Sequence, residues 1–330
     1  MENSINPGIV PHIKLASGRS IPVIGLGTFG SDKYGPGEVS AAVAGAIRFG
    51  YRFFDCAAVY GNEDQIGKVF EEAFKSGVVK REELFITSKV WNDMHGPGQV
   101  LASIKQSLAD LRLSYVDVFF VHWPVPNTHA RGCDGDTRNP ASLPFSVERY
   151  MVAWRQMEEI YQKGQAKSLG MSNMTISKLE ALLPLCKIKP AFLQMEQHPS
   201  FQQQDLFDYC IKNSITVIGY SPIGSPNRPE RDKAPGDLVD TELPEVMEVA
   251  KAHGIHPALV CIKWAVQRGS IPIPFSVHEK NYKSNLKTVT EDPLTQNEME
   301  LLKKAERNCR LVKGQVLLWP GSKGWEDLWD

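Results

Sequence analysis

Apolar and polar positions follow one repeating order along this chain. Tyr51-Arg52-Phe53-Phe54 is a β-type run that ends on Asp55-Cys56-Ala57-Ala58-Val59-Tyr60 and the turn Gly61-Asn62. The arrangement returns at 84–88 before Lys89, at 116–121 before His122 and at 166–170 before Ser172-Asn173. Further strand-like runs lie at 191–195, 215–219 and 271–273. Between these runs apolar residues recur at the spacing of one helix face, which predicts helices over 39–49, 63–74, 98–111, 147–162, 176–183, 203–212, 243–253, 257–267 and 280–289. The step from Asp55 to Lys89 is 34 residues and that from Lys89 to His122 is 33, about one strand–helix unit. Polar groups placed once per unit, at the C-terminal end of each strand, predict a (β/α)8 TIM barrel with its active site on that face.

Ahead of the barrel, His12-Ile13-Lys14-Leu15 and Ile21-Pro22-Val23-Ile24 flank Ala16-Ser17-Gly18-Arg19 and read as a β-hairpin. The first barrel strand ends at Gly27-Thr28; an extra helix is expected over 296–308 and an irregular tail over 309–330. A length of 330 residues suggests two domains, yet the alternation runs throughout, so residues 1–330 form a single barrel domain with its C-terminal helix and tail at about 296–330. Two segments exceed the length of simple connections. Residues 125–145 are polar, with Asn127, His129, Arg131, Asp134, Asp136 and Arg138, and residues 225–241 are rich in Pro, Gly and charge. Both leave the face that carries the polar residues, and long loops in compact domains are usually functional, so both are read as walls of the site.

With 37 basic and 38 acidic residues well mixed, no nucleic-acid or membrane surface is expected. The first residues, Met1-Glu2-Asn3-Ser4, carry no secretory pattern, and no apolar stretch reaches the ~20 residues of a membrane span. Six cysteines without C-x-x-C spacing suit free thiols in a cytoplasmic protein. His253 and His256 stand three apart with no third ligand, so no metal is expected.

A Tyr, a Lys, an Asp and a His at one barrel mouth make a proton-transfer device. Singly, such a Lys is usually solvated, such an Asp caps a turn, and Tyr60 would be a rim aromatic. Jointly, Lys89 beside Tyr60 lowers a phenol pKa that is otherwise near ~10. Asp55 keeps Lys89 charged, and His122 orients a carbonyl oxygen. That set suits protonation of an alkoxide as hydride arrives.

At these residues the chain resembles the aldo-keto reductase superfamily. The matching motifs are Gly25-Leu26-Gly27-Thr28, Asp55 with Tyr60, Ser88-Lys89-Val90-Trp91-Asn92, His122-Trp123-Pro124, Ser172-Asn173, Gln194-Met195-Glu196-Gln197-His198-Pro199 and Tyr220-Ser221-Pro222-Ile223-Gly224-Ser225, in the family's order. The resemblance implies that Asp55, Tyr60, Lys89 and His122 are catalytic, and that the hairpin plugs the barrel's bottom. It implies that Ser172, Asn173 and Gln194 hold a nicotinamide carboxamide while Tyr220 stacks on the ring. The residues alone allow another reading, in which Asn173 caps a helix starting near Thr175 and Gln194 is a satisfied core amide. Thr28, Ser221, Ile223, Ser225, Ser276 and the adenine-side Asn285 complete the implied cofactor set. Phe29, Trp91 and Trp123 are expected at the substrate. Trp319, Trp325 and Trp329 either shape the pocket, as the family's tail does, or pack together outside it. No Gly-x-Gly-x-x-Gly follows a first strand with an acidic residue beyond it, so a Rossmann domain is not supported.

Four positions depart from the family. Its NADPH-using members grip the 2′-phosphate with a Lys and an Arg where this chain has Phe275 and Asn281, and strap the cofactor with a Lys and an Asp where it has Gly30 and Asn227. Phosphate recognition depends on paired positive charge, so NAD(H) is favoured, held without a charged clasp, with NADP(H) the other possibility. Glu230 replaces a pocket aromatic; it either faces a hydroxylated substrate or accepts from the cofactor's ribose hydroxyls. The expectation is an NAD(P)-dependent oxidoreductase acting on a small carbonyl or hydroxyl substrate, a sugar, polyol or sugar derivative, as a monomer or weak homo-oligomer. The alternative is a non-enzymatic dinucleotide-binding barrel used as a regulatory or structural subunit.

Overall fold

The structure is a computed structural model that describes residues 4–130 and 133–330; Arg131 of the polar loop and the first three residues lie outside these. An antiparallel hairpin, β1 (His12–Lys14) and β2 (Ser20–Pro22), precedes eight parallel strands. The strands are β3 (Leu26–Gly27), β4 (Phe53–Asp55), β5 (Phe85–Val90), β6 (Val118–Val121), β7 (Leu169–Ser172), β8 (Phe192–Glu196), β9 (Thr216–Tyr220) and β10 (Ile271–Pro272), each paired with the next in chain order. Between successive strands from β3 to β9 run α1 (Pro36–Phe49), α2 (Glu63–Lys75), α3 (Gln99–Leu111), α4 (Val147–Gln162), α5 (Ile176–Leu182) and α6 (Gln204–Lys212). Both α7 (Pro244–His253) and α8 (Pro257–Gln267) follow β9, while α9 (Glu279–Thr288) and α10 (Gln296–Lys303) follow β10. This is the (β/α)8 barrel that the polarity pattern predicts.

The last strand joins the first through a one-sided ladder. The amides of Gly25 and Gly27 donate to Pro272 O at 3.0 Å and Pro274 O at 3.1 Å. A regular parallel ladder would return a bond from position 274 to Gly25, but proline has no N–H to give. Gly27 also needs its missing side chain here, because a Cβ would lie 2.9 Å from Ile273 O.

Side-chain parity explains how the barrel presents its chemistry. Phe53, Phe85, Val118, Phe120, Phe192, Ile218 and Ile271 form a buried cluster inside the cylinder, with Leu15 and Ile21 of the hairpin segment packed into it. Neighbouring residues Phe54, Ile86, Phe119 and Leu193 belong instead to the core between strands and helices. Strand side chains alternate faces. Two residues above Phe53 therefore stands Asp55, four above Phe85 stands Lys89, and two above Phe120, Phe192 and Ile218 stand His122, Gln194 and Tyr220. Gly170 makes room for this filling, since a Cβ there would meet the Phe120 ring at 2.2 Å. The barrel's apolar filling thus sets which polar side chains reach its mouth.

Two helix ends differ notably from expectation. Helix α1 begins at Pro36, three residues early, with the Gly35 amide donating to Glu38 Oε2 at 3.0 Å. Helix α10 stops at Lys303 rather than 308: the amides of Arg307 and Cys309 turn to Ser200 O, with Asn308 between them at φ 51°. The tail holds two single 3-10 turns, Gln315–Leu317 and Trp325–Leu328.

Candidate active site

Lys89 is fully buried, and its ammonium has three acceptors. Nζ donates to Asp55 Oδ2 at 2.6 Å, to Cys56 O at 2.9 Å and to the Tyr60 hydroxyl at 3.2 Å. Tyr60 reaches this point from a 3-10 turn, Ala58–Tyr60, closed by Gly61 at φ 64°. The other Asp55 oxygen accepts from Thr87 Oγ1 and Gln194 Nε2, both at 2.7 Å. Asp55 is thus held by three side chains, two from the neighbouring strand β5 and one from β8 across the barrel.

Burial works against the Lys89 charge, but Asp55 and Tyr60 outweigh it and hold its pKa above the ordinary lysine value. The phenol behaves differently from expectation. Burial pushes the Tyr60 pKa up to about 12, and the opposing pull of Lys89 is the smaller effect. The ammonium is in place, yet a dry phenolate costs more than one cationic neighbour returns, and the Asp55 charge nearby opposes it further. Tyr60 is therefore a firmly protonated donor at neutral pH. His122 is held well below its usual value by burial, then by the positive charge of Lys89. Its imidazole is neutral, with Nδ1 buried and unpartnered, and its ring lies edge-on to that of Tyr60 at 5.9 Å. Burial pushes His95 down to about 4; sequence reading passed over this residue, although it follows Trp91-Asn92 in a motif already singled out.

A cavity of about 450 Å³ opens above this group. Thr28, Phe29, Asp55, Tyr60, Trp91, His122, Trp123, Ser172, Asn173, Gln194, Tyr220, Ser221, Ile223, Ser225 and Ser276 all line it. Its polar floor is one network. Tyr220 OH donates to Asn173 Oδ1 at 2.7 Å, Asn173 Nδ2 to His122 O at 2.9 Å and to Ser172 Oγ at 3.2 Å, and Ser172 Oγ to Gln194 O at 2.9 Å. Thr28 Oγ1 donates to Asp55 O at 2.8 Å, and Asn62, read in the sequence only as part of a turn, donates to Thr28 O at 2.8 Å. The cap of α5 belongs to Thr175, whose side chain accepts from Lys178 N at 3.3 Å, so Asn173 is not that helix cap. Farther out, Ser221, Gly224 and Ser225 take positive φ in one turn. Amides and hydroxyls around a tyrosine face, leading to a backbone turn, fit a nicotinamide dinucleotide.

Along the aromatic wall of the cavity, the Phe29 ring packs 5.2 Å from that of Tyr60, and Trp91 lies between His122 at 5.1 Å and His129 at 6.0 Å. The tail contributes Val312, Gly314, Val316 and Leu317 to the wall. Its tryptophans pack behind that wall: Trp329 against Trp123 at 5.6 Å, with Trp319 and Trp325 in the same cluster. Two expected site residues stand elsewhere. Glu230 is exposed and bonds Lys233 at 2.6 Å, because its 3-10 turn faces solvent and leaves Pro229, Arg231 and Asp232 on the cleft. Asn285 is buried in α9 and does not line the cavity. Gly30 and Asn227 are neutral, but a charged pair at other positions joins the two loops. Arg231 Nη1 donates to Asp32 Oδ2 at 2.7 Å, joining the loop after β3 to the loop after β9 a few residues beyond the neutral Gly30 and Asn227.

All six cysteines are free thiols. Among the described residues, no helix is long and apolar enough to cross a membrane, and no group of three His, Cys, Asp or Glu is placed to hold a metal ion. Residues 23–307 match the profile of the aldo/keto reductase family. Zebrafish (Danio rerio) aldo-keto reductase family 1 member A1-A is 37% identical over 96% of this chain and 95% of its own. The aldo/keto reductase slr0942 of Synechocystis is 38% identical over 99% and 98%. A solved Bombyx mori aldo-keto reductase in complex with NADP superposes with a TM-score of 0.81 at 30% identity, covering 94% of this chain and 96% of that one. The profile match and these end-to-end likenesses place the chain in the aldo/keto reductase family of NAD(P)-dependent oxidoreductases.

Proposed function

We propose that this protein moves hydride reversibly between a nicotinamide dinucleotide and a carbonyl or alcohol carbon, with Tyr60 as the proton donor in reduction and acceptor in oxidation. The observation that carries this reading is Lys89 Nζ standing 2.6 Å from Asp55 and 3.2 Å from the Tyr60 hydroxyl. Lys89 favours phenolate over phenol after the proton has gone, and Asp55 keeps Lys89 charged and aimed. His122, neutral and facing the same cavity, orients the reacting oxygen by a hydrogen bond. Thr28, Ser172, Asn173, Gln194, Tyr220, Ser221, Ile223, Ser225 and Ser276 would hold the dinucleotide, which supplies or takes up the hydride. Phe29, Trp91 and Trp123 would exclude water around the reacting carbon.

The substrate we propose is hydroxylated, a sugar, polyol or sugar derivative. The support is a cleft whose rim carries His129, Arg231 and Asp232 beside the aromatic wall. For the coenzyme, NAD(H) is the reading that Phe275 and Asn281 support: the segment 273–281 presents Phe275, Ser276, Val277, His278 and Asn281 to the cleft and neither lysine nor arginine. The NADP in the Bombyx mori relative points the other way. Initial rates at 340 nm with sugars, polyols and aldehydes, run in both directions with each dinucleotide at equal concentration, decide between these. Turnover with hydroxylated substrates and NAD(H) is expected. A tenfold advantage for NADPH, about 1.4 kcal/mol, would overturn the coenzyme assignment, and absence of turnover throughout would restore the non-enzymatic reading.

A further inference from the structure

Beneath the cleft, charged side chains from separate segments meet at His198. Its Nε2 lies 2.9 Å from Glu196 Oε1 and its Nδ1 2.9 Å from Asp240 Oδ2, with all three side chains at 0% exposure. Nδ1 is also 3.1 Å from Ser200 Oγ. Nε2 donates to Glu196, whereas Nδ1 meets Asp240 as a close charge contact rather than an aligned hydrogen bond; two carboxylates facing one ring favour its charged form. Each carboxylate then holds a wall of the site. Glu196 accepts the amides of Leu311 at 2.8 Å and Val312 at 3.0 Å, the residues where the tail turns toward the cleft. Asp240 accepts the Ser200 amide at 2.7 Å and fills the space left by Gly224, where a Cβ would sit 2.1 Å from Oδ2. Gly224 lies in the turn 221–225, which carries cofactor-side residues, and 312–317 carry substrate-side residues.

Arg310 supplies the second positive charge. Its guanidinium stands 3.4 Å over the Trp329 ring and 4.5 Å over Phe201 and acts on Glu196. His198 and the half-buried Arg310 balance the two buried carboxylates, and removing His198 leaves uncompensated charge in a dry place. We infer that His198 is a positioning residue for the hydride-transfer site: its imidazolium ties Glu196 to Asp240 and so fixes the tail wall against the turn 221–225. The kinetic consequence rests on the function proposed above; the geometric one does not.

Burial alone would discharge His198, but Asp240 and then Glu196 outweigh it and raise its pKa to about 9. The other titratable groups around the cluster are Tyr220 on β9, Cys261 on α8 and Cys309 in the tail, all held protonated beyond their usual ranges, chiefly by burial. Through neutral pH the cluster therefore keeps its charge, and His198 is the member that loses it as pH rises through about 9.

The test uses the full-length protein with His198→Asn and Asp240→Asn, each checked for native circular dichroism. Hydrogen exchange is read at the Leu311 and Val312 amides without substrate, and steady-state kinetics are run on the same samples. The expected result is exchange at those amides faster by about tenfold or more, and KM for the carbonyl substrate raised by about tenfold with kcat within about threefold. In the wild type, exchange at the same amides, corrected for its intrinsic pH dependence, accelerates above about pH 9. Should His198→Asn fail to fold, Asp240→Asn and the wild-type pH series carry the test. A folded variant with unchanged protection at Leu311 and Val312 and unchanged KM would overturn the inference. If the wild type shows no turnover, the proposed function fails, while the exchange data still decide the role of His198.

Discussion

Arg231, on the loop after β9, donates to Asp32, on the loop after β3, at 2.7 Å, and both residues line the cleft. Gln315 of the tail donates to the Arg231 carbonyl as well, so three segments converge on one residue. A dinucleotide bound as proposed would have to pass this pair. Arg231→Ala is expected to speed dinucleotide release several-fold, as followed by stopped-flow fluorescence, with a smaller effect from Asp32→Ala. Release rates equal to wild type in both variants would show that the pair is not a latch. Partly exposed pairs contribute only about 0–1 kcal/mol, so the effect belongs to kinetics more than to stability.

Tyr60→Phe removes the hydroxyl and keeps the ring that packs on Phe29. Turnover should fall by about two to four orders of magnitude. Dinucleotide affinity, read by fluorescence quenching, should stay within about twofold, since the loss falls on the chemical step. Full activity in this variant would remove Tyr60 from the mechanism.

The two reaction directions should differ in their pH profiles. With the phenol at about 12, Tyr60 carries its proton across the neutral range, so reduction stays flat over roughly pH 6–9. Oxidation needs the phenolate, whose fraction grows about tenfold per pH unit below the pKa. Its rate should climb through the alkaline range, with no plateau below the onset of denaturation. An oxidation profile that levels off near neutrality would contradict a phenol held this high.

Phe275→Lys with Asn281→Arg puts two cations on the 273–281 wall of the cleft, where the proposed adenosine end would lie. If their absence is what favours NAD(H), the double variant should bind NADPH at least about tenfold more tightly, while NADH affinity changes little. Isothermal titration of both dinucleotides measures this directly. Equal NADPH affinity in parent and variant would mean that other residues set the preference.

Much of the site was legible because barrel strands alternate sides. Phe53, Phe85, Phe120 and Phe192 fill the interior, so Asp55, His122 and Gln194 line its mouth and Lys89 lies buried just beneath. Spacing brought Lys89 to Tyr60 but carried no information on how dry that contact would be, and dryness decides the phenol's pKa. The early end of α10 depends on Ser200, some hundred residues away in the chain, which no local periodicity contains. Glu230 was placed by motif position inside a loop, where one turn of 3-10 helix reverses which side chain faces the cleft. The pairing of Glu196 with His198 was legible in principle: both stand two apart where a strand ends, and a search for metal spacing alone passed over a carboxylate as partner.

The missing N–H groups of Pro272 and Pro274 make the cylinder a belt with a buckle. Every other neighbouring pair of barrel strands is assigned a paired register, whereas the join of β10 to β3 rests on two donations from glycine amides. Regions with fewer satisfied backbone bonds are where a fold opens first. This barrel has its point of least resistance between the strand leading to Thr28 and the strand leading to Ser276. Opening there would part the strands leading to Thr28 and Ser276 and leave intact the continuously paired wall that carries Lys89 and His122.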